Sequence, residues 1–365
     1  MDVEHLLAKA DIRINGDRPW DIRVHRPRFY RRLALKGSLG AGESYVDGDW
    51  DAQKLDEAFF RLFRLRVDSE LSVSFPQLFE GIRRLFSNPE SHSRAFRVGK
   101  EHYDLDLELF KKMLDKHMVY SCGFWEQAST LDEAQQDKFK LIAKKLLLKP
   151  GMRVLDVGSG FGGLANWLHD HHHVTVDGIT VSQVQLQEAR RLSEGKRVHF
   201  ELKDWRDIDG KWDRIVSVGQ FEHVGLKNYS SYMKKMRSCL TEEGLFLLHT
   251  IGNDVSTLYT DPWIEKYIFP GGLIPSLKQI SAALEGLFVL EDLHNFGADY
   301  DKTLMAWFSN FNRPPTDPTA PFFRKWSYYL LSSAAAFRAR RLELWQLVLS
   351  PEGLLGGYHC DRFSF

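Results

Sequence analysis

Cysteine is scarce in this chain: Cys122, Cys239 and Cys360 are the only three in 365 residues. An odd and scattered set does not make a disulfide framework or a cysteine-rich zinc site, and it points to reduced thiols. Net charge is also missing, with 49 Lys plus Arg against 49 Asp plus Glu. No global field therefore gathers nucleic acid or an anionic membrane, and any such contact must come from a local patch. No apolar run approaches the roughly 18 residues that span a bilayer. The N-terminal MDVEHLLAKADIRI lacks the basic start and apolar core of a secretory signal, so a cytoplasmic location is expected. Internal repeats and low-complexity tracts are absent as well.

What is present is organised around VLDVGSGFGGLA, Val154 to Ala165. Its apolar alternation fits a short buried strand, and its glycines allow a tight turn into a helix start. Gly158-x-Gly160-x-x-Gly163 satisfies the dinucleotide fingerprint. The same glycines suit S-adenosylmethionine, or simply close packing of helix on sheet.

Around this centre the pattern alternates as in a parallel α/β sheet. Strands are expected at 153–157, 174–176, 198–202, 214–218 and 245–249. The tail departs from this, with strands at 288–290 and 342–349 around helices at 304–310 and 322–339, which suggests an antiparallel edge hairpin. Helices are expected over 101–115 and 131–148, flanking MVYSCGFW (118–125). Before them, 4–10, 27–36, 55–66 and 75–86 carry helical spacing, GAGESYVDGDW (40–50) looks like an exposed loop, and a polar stretch near 87–98 looks like a linker. Asn312 to Pro321, rich in proline, is a further loop.

Arg23, Arg26, Arg28, Arg31, Arg32 and Lys36 interleave with Phe29 and Tyr30. Such a patch suits phospholipid head groups, with aromatics in the interface. On sequence alone a solvated basic face balanced by Asp17 and Asp21 is the preferred reading. His171-His172-His173 looks like a metal tract but falls between a helix and a strand, away from the expected site, and a solvated turn is expected.

In an open α/β sheet the ligand lies beyond the carboxyl ends of the strands. That rule gathers Gly158 and Gly160, Asp177 and Thr180, Asp204 and Trp205, Gln220 to Val224, and His249 to Gly252. Trp205 offers a face for adenine and Asp204 an acceptor for its exocyclic amine.

Over nearly its whole length the sequence resembles the cyclopropane-fatty-acyl-phospholipid synthases, relatives of the mycolic acid cyclopropane synthases. The resemblance rests on GSLGAGESYVDGDW, VGKEHYDL, YSCGFW, VLDVGSGFGGLA, WDRIVSVGQFEHVG, LLHTIG, DPWIEKYIFPGG and NFGADYDKTLMAW, in that order. It departs at Ser159-Gly160-Phe161, where the family usually has Cys-Gly-Trp, so an indole is lost near the cofactor.

The resemblance implies a class I S-adenosylmethionine methyltransferase, an α/β Rossmann-like fold with a seven-stranded, mostly parallel sheet. A small helical lipid-docking domain over 1–86, a linker over 87–98 and a catalytic domain over 99–365 go with it. It implies methylene transfer from S-adenosylmethionine to a cis double bond of a phospholipid acyl chain, through a carbocation that a bound bicarbonate deprotonates. By the same resemblance Cys122, Glu222, His249, Tyr300 and the Ile251 amide hold the bicarbonate. Tyr120, Ser121, Gly158, Gly160, Thr180, Gln185, Asp204 and Trp205 hold the cofactor. No metal is implied; a homodimer at the inner membrane surface is.

Overall fold

The computed structural model describes residues 3–65, 107–314 and 317–360. The expected linker and the helix expected over 75–86 lie outside these. The chain divides into two compact units.

The smaller unit combines the described part of 1–87 with 258–270 and 300–343. Its helices are Val3–Lys9, Arg28–Val46, Leu55–Arg64, Pro262–Tyr267 and Pro321–Arg338, together with nearly all of Asp299–Phe311. Strand β1 (Arg23–Val24) pairs antiparallel with β2 (Trp50–Asp51). Buried and half-buried charges join segments far apart in sequence. Arg324 donates to the carbonyls of Tyr45 (2.6 Å) and Trp50 (3.0 Å) and to Asp51 (2.8 Å). Arg338 reaches Asp56 and Asp301, and Glu43 accepts from Lys266 and Tyr267. A guanidinium fork serves two carbonyls and a carboxylate at once, which an ammonium could not match geometrically.

Two expectations in this unit are corrected. GAGESYV is helix, not exposed loop: Arg28–Val46 turns at Gly37 (φ 56°) and then runs on to Val46. Phe29 is not an interface aromatic, because it is buried against Tyr30 and Trp50. The acids that balance the basic patch are Asp47 and Asp49, reached by Arg26, Arg28 and Arg32, whereas Asp21 is engaged by Arg18. Arg31 and Leu35 are left facing solvent, Leu35 at 74% exposure.

The larger unit holds the described residues of 88–257, 271–299 and 344–365. Its sheet comprises β3 (Arg153–Val157), β4 (Thr175–Thr180), β5 (Val198–Leu202), β6 (Trp212–Val218), β7 (Leu240–Asn253), β8 (Val289–Asn295) and β9 (Leu342–Ser350), in the order β5-β4-β3-β6-β7-β9-β8. The first five strands run parallel and β8 pairs antiparallel with β9. This is the class I methyltransferase architecture, terminal hairpin included.

Alternate residues feed two cores. Leu155, Ile215, Phe246 and Leu347 enter one; Val154, Val216, Leu245 and Val348 enter the other. A sheet covered on both faces requires this period of two with both phases apolar. Burying one such Leu or Ile contributes roughly 1.5–3 kcal/mol.

β4 extends past the expected 174–176 through Gly178, where the Phe200 ring lies so close that a Cβ would meet it at 2.5 Å. β7 starts at Leu240, within a polar stretch that looks like a turn. The helix Leu131–Lys145 is opened by a Thr130/Glu133 capping box, and Gly163–His172 follows the glycine loop. The His171 ring stacks on Trp167 at 4.2 Å, so the histidine tract ends that helix instead of forming a solvated turn.

Gly163, the first residue of its helix, packs hard against the loop at His117: a Cβ there would stand 2.2 Å from the backbone oxygen of His117. Backbone cannot swing aside as a side chain can. Gly163→Ala is expected to lower unfolding free energy by about 1–3 kcal/mol, read by denaturant titration; an unchanged midpoint would show that the loop at His117 gives way.

Candidate functional site

The chain winds from β3 outward through β4 and β5, then returns to place β6 on the other side of β3. The strand order therefore reverses between β3 and β6, and ligands of such sheets lie beyond the carboxyl ends there. Gly158 (φ 82°) and Gly160 (φ 54°) form the turn after β3. Both Gly158 and Ser159 donate to the Ile179 carbonyl, which ties the loop to the neighbouring strand. Gly160 faces open space. Thr180, at the end of β4, donates to Gln185 Oε1 at 2.8 Å, which leaves the Gln185 amide nitrogen as a free donor end.

YSCGFW is held down by the helix Leu131–Lys145. Phe124 N–H donates to Ala134 O, Gln135 Nε2 to Ser121 O at 2.8 Å, and Lys138 Nζ to Ser121 Oγ at 2.7 Å. Cys122 is fully buried, with its thiol toward the Gly123 carbonyl. Tyr120 meets Phe110 edge-on, and Phe110 in turn packs on Phe161. Phe161 is thus a core side chain, 2% exposed, and its departure from the family's tryptophan is one of packing.

His249, near the end of β7, and Glu222, in the short turn after β6, are both buried. Ile251 N–H donates to Glu222 Oε1 at 2.7 Å, so this amide orients the glutamate. Burial pushes the Glu222 carboxyl up to about 7 and pulls His249 well below the ordinary histidine range, with the Lys138 and Lys145 charges adding to the latter. His249 is a neutral imidazole at physiological pH. Gln346 Nε2 lies 3.2 Å from His249 Nδ1; donating there, it fixes the proton on Nε2. His249 Nε2 and Glu222 Oε2 have no hydrogen-bond partner among the described residues.

The rest of the expected set is more dispersed. Tyr300 belongs to the helical unit, where it packs on Phe337 and edge-on to Trp307. Asp299, the residue before it, accepts from Trp125 N–H at 2.8 Å. Trp205 is buried against Tyr232. Arg206 lies 4.3 Å over the indole and bonds both Asp204 oxygens, so adenine would share these groups with a guanidinium. Asp177 is not a site residue: it lies within β4, accepting from Trp212 Nε1 at 2.7 Å and pairing with Arg153.

Gln135, Lys138 and Gln346 escape a motif-based search. Each is a polar residue on an otherwise apolar helix stripe or strand, and that mismatch is the signal that could have found them.

A carboxyl whose folded pKa exceeds its unfolded value costs no stability below the unfolded pKa. The cost grows as pH rises to the folded pKa and is constant beyond it. For Glu222 that window runs from the ordinary 4.5 to about 7. Glu222→Gln, which mimics the protonated acid, is expected to raise stability by about 2–3 kcal/mol at pH 8 and to leave it nearly unchanged at pH 4.5. Paired denaturant titrations read this, and equal effects at both pH values would refute it.

Residues 90–347 match the family model for mycolic acid cyclopropane synthetase. The chain is 48% identical to the cyclopropane-fatty-acyl-phospholipid synthase of Escherichia coli (strain K12), over 98% of this chain and 94% of that protein. A probable fatty acid methyltransferase of Pseudomonas putida is 35% identical, over 93% and 88% respectively. Among solved structures, the Mycobacterium tuberculosis cyclopropane synthase MmaA2 superposes with a TM-score of 0.65 at 28% identity, covering 70% of this chain and 97% of that one. A family match over most of the chain and a relative this similar over nearly all of it lead to one conclusion: the chain belongs to the mycolic acid cyclopropane synthetase family, built on the class I S-adenosylmethionine methyltransferase fold.

Proposed function

We propose that this chain converts cis double bonds of unsaturated phospholipid acyl chains to cyclopropanes. The methyl carbon of S-adenosylmethionine becomes the ring methylene, and S-adenosylhomocysteine and one proton are released. The observation that carries this reading is the pair of unmet buried groups, His249 Nε2 and Glu222 Oε2, in a water-excluded part of a sheet whose switch point suits the cofactor.

When bound, S-adenosylmethionine supplies an electrophilic methyl and bicarbonate supplies a base. The residues present fit a bicarbonate. His249 donates from Nε2, and Glu222, protonated for much of its population near neutral pH, donates from Oε2; each gains the partner it lacks. Cys122, in the same unit, belongs to the set implied by the family resemblance. Burial of His249 and Glu222 keeps water from trapping the cation left on the acyl chain, and a fixed acceptor decides which proton leaves.

A second reading keeps the site and changes the product to a methylated or methylene chain. It is favoured by the methyltransferase names of the P. putida relative and of the 31% identical tuberculostearic acid methyltransferase UfaA1 from M. tuberculosis. The two readings differ in the fate of the cation: direct loss of a proton from the transferred methyl closes the ring, a 1,2-hydride shift before that loss leaves a methylene branch, and loss of a chain proton leaves a methyl-branched alkene.

For membrane docking, Arg31 and Leu35 are the better candidates than Arg28 and Arg32, whose charges are already met by Asp47 and Asp49. An exposed leucine beside an uncommitted guanidinium suits a lipid interface.

Incubating the protein with S-adenosylmethionine and vesicles of cis-unsaturated phospholipid is expected to yield S-adenosylhomocysteine and cyclopropane ring protons in equal amounts. Glu222→Gln is expected to lose about 10²–10⁴-fold in turnover while keeping S-adenosylhomocysteine affinity. Vinylidene or methyl-branch signals in place of ring protons would select the second reading. Arg31→Glu with Leu35→Ser is expected to weaken vesicle co-sedimentation about tenfold or more with cofactor affinity intact; unchanged sedimentation would remove this surface from docking.

A further inference from the structure

Lys138 is a fully buried charge that the proposed reaction leaves unused. Its helix carries Ala134, Gln135, Phe139, Leu141 and Ile142 inward as well, so the lysine stands on the side turned to the core. The ammonium makes one hydrogen bond, to Ser121 Oγ at 2.7 Å, and no carboxylate among the described residues lies within ion-pair distance. Asp115, Asp156 and Cys122 act on it only from further off. One turn earlier in the same helix, Gln135 fixes the Ser121 carbonyl. Both polar groups of one residue are therefore set by one helix.

An ammonium is a donor only. Ser121 Oγ must accept from it, and the serine's own proton is left for another acceptor. A buried cation without a counter-ion is unfavourable in the free protein, and an anion brought in beside it relieves that. S-adenosylmethionine and S-adenosylhomocysteine carry such an anion, the α-carboxylate of the amino-acid end.

We propose that Lys138 is a positioning residue for the cofactor carboxylate: it holds Ser121 Oγ as an acceptor, aims the serine O–H at the carboxylate and supplies the counter-charge behind it. This rests on the placement of Ser121 at the cofactor. Lys138 acts through Ser121, and Gln135 keeps that residue's backbone in register. Because burial draws the lysine down to about 8, the counter-charge is present at neutral pH and fades as pH rises beyond that.

The test is calorimetric titration of S-adenosylhomocysteine and of 5′-methylthioadenosine, which lacks the amino-acid end, into the wild type, Lys138→Met, Ser121→Ala and the double variant. Lys138→Met is expected to weaken S-adenosylhomocysteine about 10- to 100-fold and to leave methylthioadenosine unchanged. The double variant should bind no worse than Ser121→Ala, and the melting temperature of ligand-free Lys138→Met should equal or exceed that of the wild type. In the wild type, S-adenosylhomocysteine affinity should fall above pH 8 while methylthioadenosine affinity does not, a readout that needs no variant to fold. Equal weakening of both ligands, additive losses in the double variant, or a lowered melting temperature would make Lys138 a packing residue and overturn the proposal. Undiminished binding by Lys138→Met beside a weakened Ser121→Ala overturns the proposal but keeps Ser121 at the cofactor; undiminished binding by Ser121→Ala overturns both.

Discussion

The larger unit is governed by the cost of keeping ionisable groups away from water. Glu222, His249, Lys138 and Asp156 are all buried, and none has its hydrogen-bonding capacity fully met by the described residues. Asp156, on β3, has an unpartnered Oδ2 and is pushed up to about 7 by burial. In water such groups would be solvated. Inside the fold three of them are held by a neighbour that cannot easily move: an amide of β7 for Glu222, a glutamine of β9 for His249, a serine pinned from two sides for Lys138. The apolar bulk of the two cores must offset these penalties, which is why both faces of the sheet are covered so completely.

That constraint explains which parts of the chain were legible in its sequence. β3, β5 and β6 are short apolar runs bounded by turn residues, and the terminal hairpin follows from two apolar strands around helical spacing. β4 was less visible because Asp177-Gly178 looks like a strand end. In fact the aspartate is spent on Trp212 and Arg153, and the glycine yields space to Phe200. The N-terminal part of β7 hid behind Thr241-Glu242-Glu243-Gly244, where the polar side chains of an exposed strand end imitate a turn. GAGESYV misled for a related reason: small residues that admit a close neighbour resemble those that make a loop, and the neighbour, Trp263, is more than 200 residues away.

For the site, motifs led to Cys122, Glu222 and His249, and the fold sets Glu222, just after β6, beside the β7 stretch that carries His249. Motifs gave no access to Lys138, Gln135 or Gln346, because their roles exist only through what they touch. A glutamine in the middle of LELWQLVLS is anomalous by pattern alone, but that it sets a histidine tautomer depends on β9 lying beside β7. Trp205 and Asp204 show the converse. Their types suit adenine, yet Arg206 already occupies one indole face and both carboxylate oxygens, a competitor one residue away that residue typing does not weigh.

Destabilised groups at a site and stability elsewhere are two sides of one design. An imidazole held neutral, with a single available proton, can hydrogen-bond an anion without protonating it and so without quenching it as a base. A carboxyl near half-protonation can donate or accept without a large change in solvation. Neither state survives exposure to water, where histidine and glutamate return to their ordinary ranges. The glycine loop is tied to Ile179, and the YSCGFW segment to the helix Leu131–Lys145. Phe161, in the glycine loop, is buried. Packed on Phe110, which also meets Tyr120, it links the glycine loop to the segment carrying Cys122 by apolar contact, so at this position phenylalanine in place of the family's tryptophan keeps a buried aromatic ring.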